Sequence, residues 1–218
     1  MRLRHNPAAR EEIAVSPLVF DTEAAISMRG RWRSEGDCPL VLEIGMGRGS
    51  FITAHALQEP EKIFLGLEFR EEMVLEALTC LKRLKAVKGQ HNDPKNLKML
   101  WTNAQFLTEI FAPGELTELL LNFSDPWPKA RHAKRRLTHQ LFWNQYRQIL
   151  QPGGLIRLRT DNKDFFDWSL SSMSASCFKL LLRTEAAPLP PDGIISEYER
   201  RYRHREQPIY AADWQLLD

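Results

Sequence analysis

Six short apolar runs punctuate the chain: PLVLEIG (39–45), KIFLGLEF (62–69), LKMLWTN (97–103), ELLLNFS (118–124), LIRLRTD (155–161) and FKLLLRT (178–184). Each has the length of a strand and is too short for a helix. Between them, REEMVLEALTCLKRLKAVK sets Met73, Val74, Ala77, Leu78, Leu81 and Leu84 at helical intervals. A further helix is predicted over LTHQLFWNQYRQILQPGG, with Leu141, Phe142, Tyr146, Ile149 and Leu150 inward and a stop at Pro152 and the Gly153–Gly154 pair. Strand alternating with helix predicts an α/β fold, a mostly parallel central sheet with helices on both faces in three α/β/α layers.

Polar KGQHNDPKN (88–96) reads as an exposed loop, and Pro-rich EAAPLPPDG (185–193) as a connection. Residues 1–37 lack clear periodicity and are left as an N-terminal extension, either ordered in part or closing over a site. No internal repeat or second domain is visible, so a single domain over 1–218 is expected.

Composition agrees: 43% hydrophobic and 27% charged residues in 218 suit a globular domain with a real core. No stretch has the apolar length of a bilayer span, and MRLRHNPAAREE is basic without the apolar region of a secretory signal, so a soluble cytoplasmic protein with no membrane partner is expected. Cys38, Cys80 and Cys177 form no C-x-x-C pair, and the six histidines show no paired-ligand spacing; no metal site is predicted. The net charge is only +2, but Lys129, Arg131, Lys134, Arg135 and Arg136 cluster, as do Arg200, Arg201, Arg203 and Arg205. That distribution points to a polyanion.

Two stretches carry the candidate chemistry. In VLEIGMGRGSF, Gly45, Gly47 and Gly49 alternate where a strand gives way to a helix, which permits positive φ and close approach of a ligand to the backbone. A dinucleotide fingerprint needs its third glycine one place later, where Ser50 stands, and Glu43 adds a carboxylate before the turn. An adenosine ligand without a pyrophosphate fits better than NAD. Glu68, ending the next strand, is suitably spaced to accept from ribose hydroxyls, and Asn103, ending the third, is within reach of an adenine. In the second stretch, NFSDPWPKARHAKRR, Asp125 lies just past the fourth strand, the edge where open α/β sheets bind ligands, and Pro126 and Pro128 stiffen its turn. A basic run alone is most often a solvated face. Its adjacency to the turn gives it a second meaning, because Lys and Arg pair with phosphates and release counterions. Trp127 either stacks on an extruded base or packs under the turn.

E-x-G-x-G-x-G resembles the first motif of S-adenosylmethionine-dependent methyltransferases, in which the acidic residue lies near the methionine moiety. D-P-W-P-K-x-R-H-x-K-R-R, with RTDN (159–162), ISEYERRY (195–202) and QPIY (207–210), resembles the tRNA (guanine-N7-)-methyltransferase family from about residue 41 to the C-terminus. The resemblance implies a Rossmann-like methyltransferase fold, S-adenosyl-L-methionine as methyl donor and tRNA as partner. It makes Glu43, Gly45, Gly47, Gly49, Glu68, Asn103 and Asp125 cofactor contacts. Lys129, Asp161, Ser196 and Glu199 become contacts to the target nucleotide, and Arg131, Lys134, Arg135 and Arg136 an RNA-binding strip. Asn103 stands where the family often has aspartate and Ser196 where it has threonine; both keep hydrogen-bonding capacity.

Guanine N7 offers an in-plane lone pair and no hydrogen, so methylation there needs alignment and electrostatics but no base. A carboxylate accepting from N1–H and the exocyclic amine favours the charge that develops on the ring. Asp125 is the first candidate for that role and Asp161 the second. Competing readings are a non-catalytic RNA-binding protein on the same scaffold, a methyltransferase acting on an exocyclic amine, and a NAD-dependent oxidoreductase. The sequence leaves monomer and homodimer equally open.

Overall fold

The computed structural model describes residues 9–33, 38–173 and 177–217. These divide into two units, one ending at Phe111 and the other beginning at Ala112.

The first unit runs α1 (Ala9–Ala14), β1 (Val19–Asp21), α2 (Thr22–Ser27), β2 (Leu40–Ile44), α3 (Ser50–Gln58), β3 (Ile63–Glu68), α4 (Glu71–Val87), β4 (Leu97–Trp101), a 3₁₀ turn (Ala104–Phe106) and α5 (Leu107–Ile110). Its strands order as β1-β4-β3-β2, every neighbouring pair parallel. All five residues of β2 are buried, which is why LVLEI reads as an unbroken apolar run with a single acid in it. The α4 stripe is as expected, with Met73, Val74, Ala77, Leu78 and Leu81 buried and Leu84 half-buried.

Part of the stretch with no clear periodicity is ordered here. Residues 9–33 supply α1, β1 and α2; β1 pairs with β4, Ile13 is buried, and Trp32 donates from Nε1 to the Ile110 carbonyl at 3.1 Å. Three residues of strand are too few for periodicity to register. Residues 1–8 and 34–37 lie outside the described residues.

The second unit runs β5 (Leu116–Asn122), a 3₁₀ helix (Ala130–Arg135), α6 (Gln140–Ile149), β6 (Leu150–Thr160), α7 (Lys163–Met173), β7 (Phe178–Thr184), α8 (Glu197–Arg203) and β8 (Tyr210–Leu216). The order is β5-β6-β8-β7, with β5 and β6 parallel and β8 antiparallel to both β6 and β7. β8 has no counterpart among the six apolar runs, because YAADWQL offers two alanines and an aspartate where a strand signal needs β-branched or aromatic residues.

α6 corrects two expectations. Leu141 is 53% exposed, while Trp143, Tyr146 and Ile149 form the buried stripe at i, i+3 and i+6. The helix also stops at Ile149, before Pro152 and the glycines, which lie within β6. The pairing register shifts there, from Leu116↔Leu150 to Glu118↔Leu155, and Gly153 takes φ 75°. The Pro-Gly-Gly stretch is an irregularity inside a strand, a role glycine also plays. Among the described residues no helix is long and apolar enough to cross a membrane.

Candidate active site

The first unit holds the glycine turn. β2 delivers Glu43, 2% exposed, to the start of the turn. Gly45 N–H and Met46 N–H both donate to the Leu67 carbonyl, at 2.8 and 3.0 Å, which folds the turn back on β3. Gly45, Gly47 and Gly49 all have positive φ (79°, 54° and 66°). Their steric surroundings differ. A Cβ on Gly49 would sit 2.7 Å from the Ala77 Cβ of α4, whereas one on Gly45 would meet nothing within 4 Å. Gly49 therefore lets α3 start close against α4, and Gly45 leaves one side of the turn open.

Glu68 ties this turn to the next one. Its Oε2 accepts from Gly47 N–H at 3.2 Å, and its Oε1 accepts from Phe69 N–H at 2.9 Å and Arg70 N–H at 3.0 Å. The carboxyl is buried, and burial raises its pKa against the opposing pull of these three backbone donors. Asn103 is exposed and caps the 3₁₀ turn, its Oδ1 accepting from Gln105 N–H at 2.9 Å. An open glycine turn with two polar strand ends on the same unit fits an adenosine-type ligand bound along the backbone.

In the second unit Asp125 is exposed three residues beyond β5. The chain reaches it through Phe123 at φ 53° and leaves through Trp127 at φ 42°, two non-glycine residues in the left-handed region. Phe123 N–H donates to the Arg159 carbonyl at 2.8 Å. Trp127 is half-buried against the basic block: its ring meets His132 edge-on at 5.6 Å, and the Arg135 guanidinium lies over it at 4.9 Å. Of the two roles left open for Trp127, packing is the one its contacts serve.

The cations of the block divide in two. Lys129, Arg131, Lys134 and Arg135 are exposed. Arg136 is half-buried, donates from Nε and Nη2 to the Trp127 carbonyl at 3.3 and 3.0 Å, and lies over the Trp168 ring at 4.4 Å. It staples the Asp-Pro-Trp-Pro turn to α7. Just beyond, His139 caps α6 by accepting at Nδ1 from Leu141 N–H, 3.2 Å away. Burial first, and then Lys134 and Arg136, lower its pKa, which keeps that nitrogen an acceptor.

The remaining expected contacts gather around α8. Ser196 caps the helix, its Oγ accepting from Glu199 N–H at 3.0 Å. Glu199 is 1% exposed, and its Oε1 accepts from Arg159 at 2.9 Å and from Arg203 Nε and Nη2 at 2.9 and 2.6 Å. Arg203 also donates to the carbonyls of Ala187 and Pro188. Asp161 is half-buried, and burial first, then that carboxylate, raise the pKa of Tyr202. Tyr202 thus stays protonated. Arg159 and Tyr202 were absent from the expected site; the helical spacing of Glu199, Tyr202 and Arg203 was the available signal.

Among known proteins, a family model described as "Putative methyltransferase" matches residues 37–212. The chain is 36% identical to the tRNA (guanine-N(7)-)-methyltransferase of Bacillus licheniformis, covering 98% of this chain and 99% of that protein. It is 38% identical to the enzyme of the same name from Latilactobacillus sakei, covering 98% of each. Among solved structures it resembles the 16S rRNA methyltransferase KamB, with TM-score 0.63 at 17% identity over 87% of this chain and 92% of that one. The antibiotic-resistance methyltransferase Kmr follows at 0.57 and 15%, covering 90% and 91%. These two likenesses establish the methyltransferase fold, and the near-full-length sequence relatives establish more: the chain belongs to the tRNA (guanine-N(7)-)-methyltransferase family.

Proposed function

We propose that this protein transfers a methyl group from S-adenosyl-L-methionine to N7 of a guanosine in the tRNA variable loop. The observation that carries the reading is Asp125: an exposed carboxylate three residues beyond β5, on a turn held by two prolines and by Arg136, with exposed cations following it in the chain.

When bound, S-adenosylmethionine supplies a methyl group on a positively charged sulfur. The glycine turn and Glu43, Glu68 and Asn103 hold it. The open side at Gly45 would leave it room, Glu43 would supply negative charge for its amino group, and Glu68 and Asn103 would supply hydrogen-bonding atoms for its nucleoside. The transfer forms an N7–carbon bond as the sulfur–carbon bond breaks, and the positive charge passes from sulfur to the guanine ring. No proton leaves N7, so no general base is required. Asp125 accepts from N1–H and the exocyclic amine and stabilises the ring as it becomes cationic. Asp161 is the weaker candidate because it is half-buried where Asp125 is exposed. Lys129, Arg131, Lys134 and Arg135 bind phosphates. Ser196, Glu199 and Arg136 position the segments that meet the RNA. The family model runs through both units, which supports reading the chain as one methyltransferase domain.

The test is incubation with radiolabelled S-adenosylmethionine and bulk tRNA, followed by digestion and identification of the labelled nucleoside. Label in 7-methylguanosine is expected. Label in an exocyclic-amine product moves the target atom, and tRNA binding without any label supports the non-catalytic reading.

A further inference from the structure

Asp125 sits on a backbone that needs outside support. Phe123 and Trp127, on either side of it, both occupy the left-handed region, at φ 53° and 42°. For bulky aromatic residues that region is sterically costly, and such conformations persist where surrounding contacts over-determine them. Arg136 supplies such a contact, donating from Nε and Nη2 to the Trp127 carbonyl at 3.3 and 3.0 Å. A guanidinium holds a carbonyl in this way only while its plane is fixed, because its donors lie in that plane.

The plane of Arg136 is fixed by Trp168 of α7. The guanidinium carbon lies 4.4 Å from the centroid of that ring, closer than Arg135 comes to Trp127 at 4.9 Å. A contact with the ring face leaves the in-plane N–H groups free to reach the carbonyl, and both partners are half-buried, which strengthens the attraction. Docking of the next few residues has bonds of its own. The Oγ atoms of Thr138 and Ser169, both residues fully buried, are 2.8 Å apart, and the Tyr146 hydroxyl donates to the Leu137 carbonyl at 3.0 Å. Ser169 Oγ also donates to the Phe165 carbonyl within α7 at 2.7 Å. Loss of the Trp168 ring therefore leaves residues 137–139 docked and frees the guanidinium.

We propose that Trp168 is a positioning residue for the methyl transfer: by fixing the plane of Arg136 it locks the Trp127 carbonyl, and with it the left-handed turn that presents Asp125 to the guanine. Trp168 acts through Arg136 and not by contact with the guanine. The inference rests on Asp125 acting as proposed above.

The test compares the wild type with Trp168→Leu, Trp168→Phe, Arg136→Met and the Trp168→Leu/Arg136→Met double variant. Each is measured in single-turnover methylation at saturating S-adenosylmethionine and tRNA, in tRNA filter binding, in calorimetry with S-adenosylmethionine, and in hydrogen exchange of residues 123–136. Trp168→Leu is expected to lower the single-turnover rate roughly tenfold, through misplacement of a group that must be aligned, with both affinities unchanged. Trp168→Phe keeps an aromatic face for the guanidinium and recovers most of the rate. Trp168→Leu added to Arg136→Met costs nothing more, because the two act in one path. Exchange of 123–136 quickens in Trp168→Leu and stays near wild type in Trp168→Phe. A wild-type rate in folded Trp168→Leu overturns the proposal, as does a loss that adds in full to that of Arg136→Met, a loss that Trp168→Phe shares, or a loss of tRNA affinity in place of rate. Should the melting curve show Trp168→Leu unfolded, Trp168→Met takes its place and the same outcomes decide. A wild type that forms no 7-methylguanosine sinks the proposed activity and the positioning role with it, whereas equal rates of 7-methylguanosine formation by the wild type and Trp168→Leu sink this inference alone.

Discussion

The two units build their candidate sites from different material. In the first, the site is mostly backbone: three left-handed glycines, a turn folded onto the Leu67 carbonyl, and the buried Glu68 receiving three N–H groups from two turns. In the second it is side chain: Arg136 on the Trp127 carbonyl, and Arg159 and Arg203 on Glu199. A backbone-built site suits a ligand whose shape does not vary. It tolerates almost no change at the glycines, because what matters there is the absence of a Cβ. A side-chain-built site presents charge at chosen points, and it fails when one partner of a network is removed.

The contrast is broken most severely at Asp125. Asp125→Asn keeps the size and exposure of the side chain and removes its charge, so methylation turnover is expected to fall at least about 10²-fold with the melting temperature unchanged. Near-normal turnover in a well-folded variant would remove Asp125 from the chemistry. Next comes Glu199→Gln, which leaves Arg159 and Arg203 without their buried counter-charge. A loss of about 3 kcal/mol is expected in urea denaturation, with S-adenosylmethionine affinity retained under native conditions; a loss below about 1 kcal/mol would mean the network is ornamental.

Within the glycine turn the expected effects separate position from conformation. Gly49→Ala adds a Cβ 2.7 Å from Ala77 as well as a left-handed penalty and is expected to cost about 2–3 kcal/mol. Gly45→Ala carries the conformational penalty alone, about 1 kcal/mol, and tells instead on S-adenosylmethionine affinity, because its Cβ enters the open side. Equal stability losses would show that the approach to α4 is not what Gly49 serves.

The smallest effect is a slope with pH. The folded-state pKa of Glu68 lies above the ordinary value of 4.5 because of burial. Between 4.5 and that raised value the folded chain holds more proton than the unfolded chain, so its contribution is fully present below pH 4.5 and is lost as pH rises through the folded pKa. The difference in unfolding free energy between wild type and Glu68→Gln should therefore shrink with rising pH across that window. A difference that grows with pH would mean that the three backbone donors outweigh burial.

Much of this molecule is legible along the chain. All six apolar runs are strands, FKLLLRT matching β7 end to end, and only β6 departs widely from its expected ends by starting at Leu150. The glycine turn, the Asp-Pro-Trp-Pro stretch and the basic block were visible for the same reason: φ restrictions of glycine and proline and runs of like charge are properties of neighbours in sequence. Where the reading failed, distant residues decided. Leu141 looked as apolar as Trp143, but the helix turned Trp143 toward Phe178 and Trp214. β8 forms despite its weak composition because β6 and β7 flank it on both sides.

The sequence by itself determined the α/β alternation, the place of the glycine turn and the family, because these rest on periodicity, backbone sterics and motif spacing. Only the tertiary structure decided that Arg136 braces a turn while Arg135 faces solvent, that Glu199 is buried between two arginines, and that Tyr198 stands on Phe123. Those roles depend on partners such as Arg159, 40 residues from Glu199 in the chain, and a side chain's chemistry is set by whichever groups folding brings beside it.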